Sequence, residues 1–346
     1  MRYTRVFVDA IGYELAPVVV TSLDLEERLA PLYKTLRLSE GQLEAWTGIV
    51  ERRWWEAGYP LSQGAIEAAK KALESAQVPP EAIEVVIYAG VCRENFEPAT
   101  ACRVAAGLEV SPDAAIYDIS NACLGVLNGM IDIANRIELG QIRAGLVVSC
   151  ESSREINEIA IDRMLEANNM DFFGESLATL TGGSGAVAMV LTDGSFATAC
   201  RRVIGGVTQA APQFHELCRW GIERILPSSF RQFMNTDSVS VLKHGVALGF
   251  RTWSTFLNKI GWVKEQIDRV ICHQVGTAHR DTVLKMLGIP PEKDYSTFAY
   301  LGNMGTVSLP LTAALAEEYG FLEPGNRVGF LGIGSGLNCL MLGLEW

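Results

Sequence analysis

The sequence predicts an α/β fold with mostly parallel strand pairing. Two observations carry that prediction: short β-branched apolar runs alternate with segments of helical period, and the pattern of the first half returns in the second. EVVIYAG (84–90), AAIYDIS (114–120) and AGLVVSCE (144–151) have the form of strands buried on both faces. Around them, QGAIEAAKKALESA (63–76) and CLGVLNGMIDIANRIELG (123–140) repeat apolar residues at 3.6-residue spacing, and Gly140 is placed to end the second helix as its C′ residue.

The second half echoes this order. DRVICHQV (268–275) parallels EVVIYAGV (84–91), 184 residues earlier. GNMGTVSLPLTAALAEEYG (302–320) followed by GNRVGFLGIGSG (325–336) parallels the helix from Cys123 to Gly140 followed by AGLVVSCESS (144–153). A duplicated unit, with halves 1–195 and 196–346, places a site where the halves meet. A chance likeness between two α/β segments fits the spacing equally well. Two stretches stand apart. SREINEIAIDRMLEANN, within 152–181, carries charge on one helical face and reads as an insertion or a cap. Residues 205–235, punctuated by Gly and Pro, hold Phe214, Trp220, Phe230 and Phe233, which line an apolar surface or pack a subdomain.

Composition excludes several functions. The 346 residues carry 29 Lys+Arg against 40 Asp+Glu, a net charge of −11, so bulk electrostatics repel nucleic acid and anionic membranes, and an anionic ligand needs a local basic patch. At roughly 150 residues per domain the length fits two domains or one fold of two halves. No apolar run approaches the roughly 18 residues of a membrane span or the form of a signal peptide, so a soluble, cytoplasmic protein is expected. The eight Cys are scattered without a CxxC pair, and none of the four His stands at metal-ligand spacing to them, so neither a metal nor a disulfide framework is expected, and most of the Cys should be small buried hydrophobes.

Cys123, in SNACLG, follows a strand and opens a helix, where free N–H groups and the positive dipole end lower a thiol's pKa and hold a developing oxyanion. His273 ends the strand RVICHQ, at the strand end where α/β folds bind ligands. Asn303, in YLGNMGTVSLP, occupies in the second half the place of Cys123 in the first; taken alone it reads equally as an N-cap. GFLGIGSGLNC (329–339) lacks a Walker Lys and does not fit GxGxxG, so its glycines serve close backbone approach instead.

Cys in NACLG, His in CHQ, Asn in GNMG and a terminal GIGSG loop, in this order and spacing, resemble the ketoacyl synthase III branch of the thiolase superfamily, across essentially the whole chain. TGIVERR (47–53) and GGSGAVAMVL (182–191) are similar to further segments of that family. The resemblance implies a five-layered αβαβα fold of two duplicated halves, an obligate homodimer, a Cys123–His273–Asn303 site, and an oxyanion hole from the backbone N–H groups of Cys123 and Ser335. It implies no cofactor besides the CoA of thioester substrates.

Within the branch, CRENFEPATAC (92–102) is most similar to the members that condense two fatty acyl-CoA molecules head to head. Those carry a Glu before the Pro, matched here by Glu97. A plain acyl-CoA must be deprotonated at its α-carbon, which needs a base; malonyl thioesters instead lose CO₂. By the resemblance Glu97 is that base and acts in the site of the partner subunit. The alternatives are a decarboxylating 3-oxoacyl synthase III fed by an acyl-carrier protein, itself acidic and so in need of a basic patch here, and an acyl-binding subunit that does not turn over. The sequence departs from the family at the CoA lip, where Trp46 stands in place of an Arg common in the branch; Trp46, Arg52 and Arg53 are the expected CoA-binding residues.

Overall fold

The computed structural model describes residues 1–196, 201–226 and 229–346. Among these, the strands are β1 (Phe7–Leu15), β2 (Val18–Thr21), β3 (Glu51–Trp54), β4 (Val85–Ala89), β5 (Ala115–Ile119), β6 (Ala144–Glu151), β7 (Gly185–Thr192), β8 (Arg201–Ala210), β9 (Cys218–Leu226), β10 (Ser229–Thr236), β11 (Arg269–Cys272), β12 (Arg327–Gly334) and β13 (Asn338–Glu345). Nine form one ladder in the order β11-β12-β13-β8-β1-β7-β6-β4-β5, while β2 pairs with β3 and β9 with β10.

The ladder repeats itself. In the first half β4 runs parallel to β6, which is antiparallel to β7, itself antiparallel to β1. In the second, β11, β12, β13 and β8 follow the same parallel, antiparallel, antiparallel sequence. The two sets join where Phe7 and Val8 of β1 meet Arg202 and Arg201 of β8. The expectation of mostly parallel pairing is thus corrected to a mixed sheet. The first-half strands read from the sequence, β4, β5 and β6, are its parallel ones, whereas each half adds two strands that return antiparallel, β7 and β1 in the first and β13 and β8 in the second.

Strand side chains alternate between two cores, as the period of two requires. Val85, Ile87 and Ala89 of β4 join Val187, Met189 and Leu191 of β7 in a central core, while Val86, Tyr88, Ala186, Ala188 and Val190 face an outer one. In the second half Val328 and Phe330 of β12 and Leu340, Leu342 and Leu344 of β13 complete the central core. Cys339, Met341 and Leu331 face a third core with Trp253, Phe256 and Ile260. Five layers result: helices 61–76 and 100–108, the first half-sheet, the central helices Gly125–Glu138 and Ser308–Glu318, the second half-sheet, and helices 238–260 and 277–287. The first central helix stops short of Gly140, whose φ of +69° makes the turn.

The 154–167 helix belongs to a cap. Its Ile161 and Met164 pack with Leu25, Leu29, Leu32, Leu43 and Phe173. Residues 205–235 hold an isolated hairpin, β9–β10, in which Phe230 is exposed, whereas Phe214 stacks on His244 with ring centroids 3.8 Å apart. Seven described cysteines are free, with Cys150, Cys272 and Cys339 buried; Cys200 lies outside the described residues.

Candidate active site

Both central helices point their N-termini at one place. Cys123 lies in the turn between β5 and the helix that begins at Gly125, and the residue before it, Ala122, has φ +45°, which L side chains rarely adopt. The Val126 N–H, left free by the helix start, donates to Thr306 Oγ1 at 2.7 Å, tying the first half's helix to the turn that opens the second half's. Asn303 stands in that second turn. Its Oδ1 accepts the Gly305 N–H at 3.0 Å, which commits the oxygen and leaves the Nδ2 hydrogens for a ligand.

His273, 4% exposed, follows β11, its N–H donating to Leu331 O at 2.9 Å. Ser335 sits in the loop between β12 and β13, bound back by two links: Asn338 Nδ2 donates to Asn121 Oδ1 at 3.0 Å, and Asn121 Nδ2 donates to Asn128 Oδ1 at 2.7 Å. Close approach explains the glycine before it, since a Cβ on Gly334 would lie 3.4 Å from Cys123 N and 3.3 Å from Leu124 Cγ. The GIGSG loop therefore passes directly over the Cys123 amide.

Cys123, His273, Asn303 and Ser335 line one cavity of about 790 Å³, walled by apolar side chains that include Ile156, Leu177, Trp220, Phe233 and Leu242. That volume lies in the range of small-molecule sites. The sequence reading missed four ionisable members of the wall, Glu151, Cys218, Arg219 and His279. His279, on the helix after His273, has an enclosed Nδ1 without a hydrogen-bond partner among the described residues. Glu151 ends β6, and Cys218 begins the hairpin. A carboxylate closing a buried strand was a visible signal for Glu151.

Electrostatics correct one expectation. Burial, followed by the charges of Cys218 and Glu151, pushes the Cys123 thiol up to about 12 from an ordinary 9. A helix N-terminus offers about 1 kcal/mol, less than one decade of ionisation, so desolvation wins. Burial, then His279, pushes His273 down to about 3, and burial holds His279 at about 4. At neutral pH the cavity holds a thiol and two neutral imidazoles.

Of the residues expected at the CoA lip, Trp46 lines the cavity and packs against Phe173, with ring centroids 6.0 Å apart. Arg52 is corrected to a structural role. Alternation along β3 turns it inward, fully buried, where its guanidinium donates to Val20 O at 3.3 Å and Ser22 Oγ at 3.1 Å and has no path to a phosphate. Arg53 points the other way, 3.9 Å from Glu51 and away from the cavity wall. Glu97 is exposed, with no hydrogen-bond or ion-pair partner among the described residues, and is not on this chain's cavity wall.

Residues 257–346 match the family model for the 3-oxoacyl-[acyl-carrier-protein] synthase III C-terminal domain, and residues 61–172 that for the thiolase N-terminal domain. The chain is 58% identical to the acyl-CoA:acyl-CoA alkyltransferase of Shewanella oneidensis and 35% identical to that of Xanthomonas campestris, with 100% of both chains covered in each case. Among solved structures, a cysteine-to-alanine variant of Xanthomonas campestris OleA superposes with a TM-score of 0.94 at 34% identity, covering 100% of this chain and 98% of that one. A cysteine-to-serine OleA variant with bound lauric acid and lauroyl-CoA gives 0.93 at 34% identity, covering 99% and 100%. The chain belongs to the acyl-CoA:acyl-CoA alkyltransferase family of thiolase-like acyltransferases.

Proposed function

We propose that this protein joins two fatty acyl-CoA molecules by a head-to-head Claisen condensation without decarboxylation, through an acyl-Cys123 intermediate. The observation that carries the reading is the convergence of Cys123, His273, Asn303 and Ser335 on one apolar-walled cavity, with a carboxylate, Glu97, unpartnered among the described residues on the segment that starts at that wall. A family relative with lauroyl-CoA bound supports the substrate class.

In the first half-reaction Cys123 Sγ bonds the thioester carbonyl carbon as its proton passes through neutral His273 to the departing CoA sulfur. The backbone N–H groups of Cys123 and Ser335 hold the oxyanion. In the second, Glu97 removes an α-proton from another acyl-CoA. The resulting enolate oxygen is held by a His273 N–H and by Asn303 Nδ2, and its carbon bonds the acyl carbonyl, expelling Cys123. Because Glu97 does not line its own chain's cavity, it serves the cavity of a second copy, which makes a homodimer the active unit. Trp46 stands at the CoA lip. No resident cofactor or metal enters this scheme, and an acyl-carrier protein is not needed as donor.

Separating the half-reactions tests the reading. Cys123→Ala should take no acyl group from myristoyl-CoA by intact mass, whereas Glu97→Ala should be acylated and form no condensed product. Mixed subunits of the two variants should recover about a quarter of wild-type activity on random exchange of an isologous dimer. Product from Glu97→Ala, or a requirement for malonyl-ACP, would contradict the proposal.

A further inference from the structure

Four carboxylates bear on the segment 90–99, and three are spent on holding it. Glu151 Oε1 accepts the Val91 N–H at 2.9 Å and Oε2 accepts the Cys92 N–H at 3.1 Å, at the segment's root. Glu94 Oε1 accepts from Ser62 N–H at 2.9 Å and Ser62 Oγ at 2.7 Å, while Arg103 pairs with its other oxygen at 3.1 Å. Asp118 accepts the Thr100 and Ala101 N–H groups, both at 2.9 Å, where the next helix begins. The fourth carboxylate, Glu97, is left without a partner among the described residues.

Glu151 differs from the other two anchors. It is 3% exposed and lines the cavity that holds Cys123, as does Val91, one of its two donors. A buried carboxylate that accepts two backbone N–H groups is a rigid clamp, because neither donor has another partner if it leaves. We propose that Glu151 is a positioning residue of the condensing site: its bidentate hold on the Val91 and Cys92 N–H groups fixes the root of the segment that presents Glu97 to the second copy. The link to Glu97 rests on the proposed function; the clamp on the segment does not.

The same charge also acts on the nucleophile. Cys123 shares its cavity with Glu151 from β6, Cys218 and Arg219 from β9, His273 after β11 and His279 from the following helix. Burial raises the Cys123 thiol most and an ionised Glu151 raises it further; burial pushes the Glu151 carboxyl up in turn, while the Cys92 thiol and the Val91 and Cys92 N–H groups hold it down. One side chain therefore holds the base-bearing segment and disfavours the thiolate. Replacing its carboxyl with an amide should separate the half-reactions in opposite directions.

The test is Glu151→Gln in the full chain, with Glu151→Asp as the variant that keeps the charge and shortens the reach. A Gln oxygen accepts one N–H, but its amide nitrogen faces the other as donor to donor. Expected for Glu151→Gln are faster amide hydrogen exchange in 90–99, condensation slowed by about 10- to 100-fold as for a misplaced catalytic group, and acylation by myristoyl-CoA no slower than wild type. The pH profile of Cys123 alkylation by iodoacetamide, corrected with Cys123→Ala for the other thiols, should move to lower pH. Glu151→Asp should loosen the segment to a smaller degree and leave the alkylation profile near wild type. Unchanged exchange in both variants overturns the proposal, as does unchanged condensation or an equal fall in acylation and condensation. If Glu151→Gln does not fold, Glu151→Asp alone decides by exchange and condensation. Wild-type protein that makes no product from acyl-CoA contradicts the proposed function instead, and exchange in 90–99 then decides the clamp by itself.

Discussion

Gly334→Ala tests the oxyanion hole without touching a reacting side chain. The new methyl would lie 3.4 Å from Cys123 N, 3.3 Å from Leu124 Cγ and 3.7 Å from Ala122 Cβ. These contacts are tight but do not overlap, and the low end of overpacking, about 1 kcal/mol of stability, is the expected cost. The amide suffers more. An oxyanion must sit about 2.9 Å from the donor nitrogen, and a methyl 3.4 Å from the same atom crowds the space around it. Losing one of two donors costs about 3 kcal/mol, so acylation of Cys123 should slow by more than about 100-fold. The assay is single-turnover acylation by myristoyl-CoA, quenched and read by intact mass, beside the thermal midpoint of the same preparation. Gly332→Ala is the counterpart. Its methyl would meet Leu124 Cδ2 at 2.6 Å and Leu127 Cδ1 at 2.8 Å, so it should lower the melting temperature more than Gly334→Ala does. Acylation of a folded Gly334→Ala protein within about threefold of wild type, under 1 kcal/mol of barrier, would refute the placement of the hole at the Cys123 amide.

Three further outcomes follow from the geometry. Arg52→Met should lower stability by about 2 to 4 kcal/mol in urea unfolding, by stripping Val20 O and Ser22 Oγ of a buried donor, and should leave the KM for acyl-CoA unchanged; a raised KM with unchanged stability would return Arg52 to the CoA site. His273 is held neutral to about 3, below the 6.5 of an unfolded chain, so the stability it contributes is full above pH 6.5 and is lost as pH falls toward 3. At pH 5 that loss is about 2 kcal/mol, and His273→Gln should show a pH 7 to pH 5 drop in unfolding free energy smaller than wild type by that amount; equal drops would contradict the burial argument. Thiol labelling of Cys123 in protein without added acyl-CoA should stay slow at pH 7 and rise only well above pH 9, since burial holds it at about 12; rapid labelling at neutral pH would show that the helix terminus outweighs desolvation.

Much of the frame was legible because strand period and burial are one fact. The apolar run EVVIYAG reads as a strand buried on both faces, and in the structure its side chains divide between the central and an outer core. Cys123, His273 and Asn303 come to line one cavity for a related reason. A turn that follows a strand and opens a helix stands at the edge of the central layer, and duplication brings two such turns face to face. The antiparallel returns were not legible, because a strand buried on both faces carries no mark of its direction. Arg52 was misplaced because an inward-facing arginine looks like any other basic residue until the alternation of β3 is seen beside Val20 and Ser22. The protonation of Cys123 was misjudged because a helix terminus shows in sequence and the desolvation of the site does not. Glu151 was passed over although it closes the strand AGLVVSCE, since its partners, the Val91 and Cys92 N–H groups, lie some 60 residues away in the chain.

The most direct test of the central claim is to give the purified protein myristoyl-CoA as its only substrate and follow free CoA and products by mass spectrometry. A 2-alkyl-3-ketoacyl-CoA, the β-keto acid formed when water hydrolyses its thioester, or the ketone that acid yields on losing CO₂, built from both acyl chains and abolished in Glu97→Ala, is the predicted result. Acylated Cys123 with no condensed product until malonyl-ACP is added would contradict it.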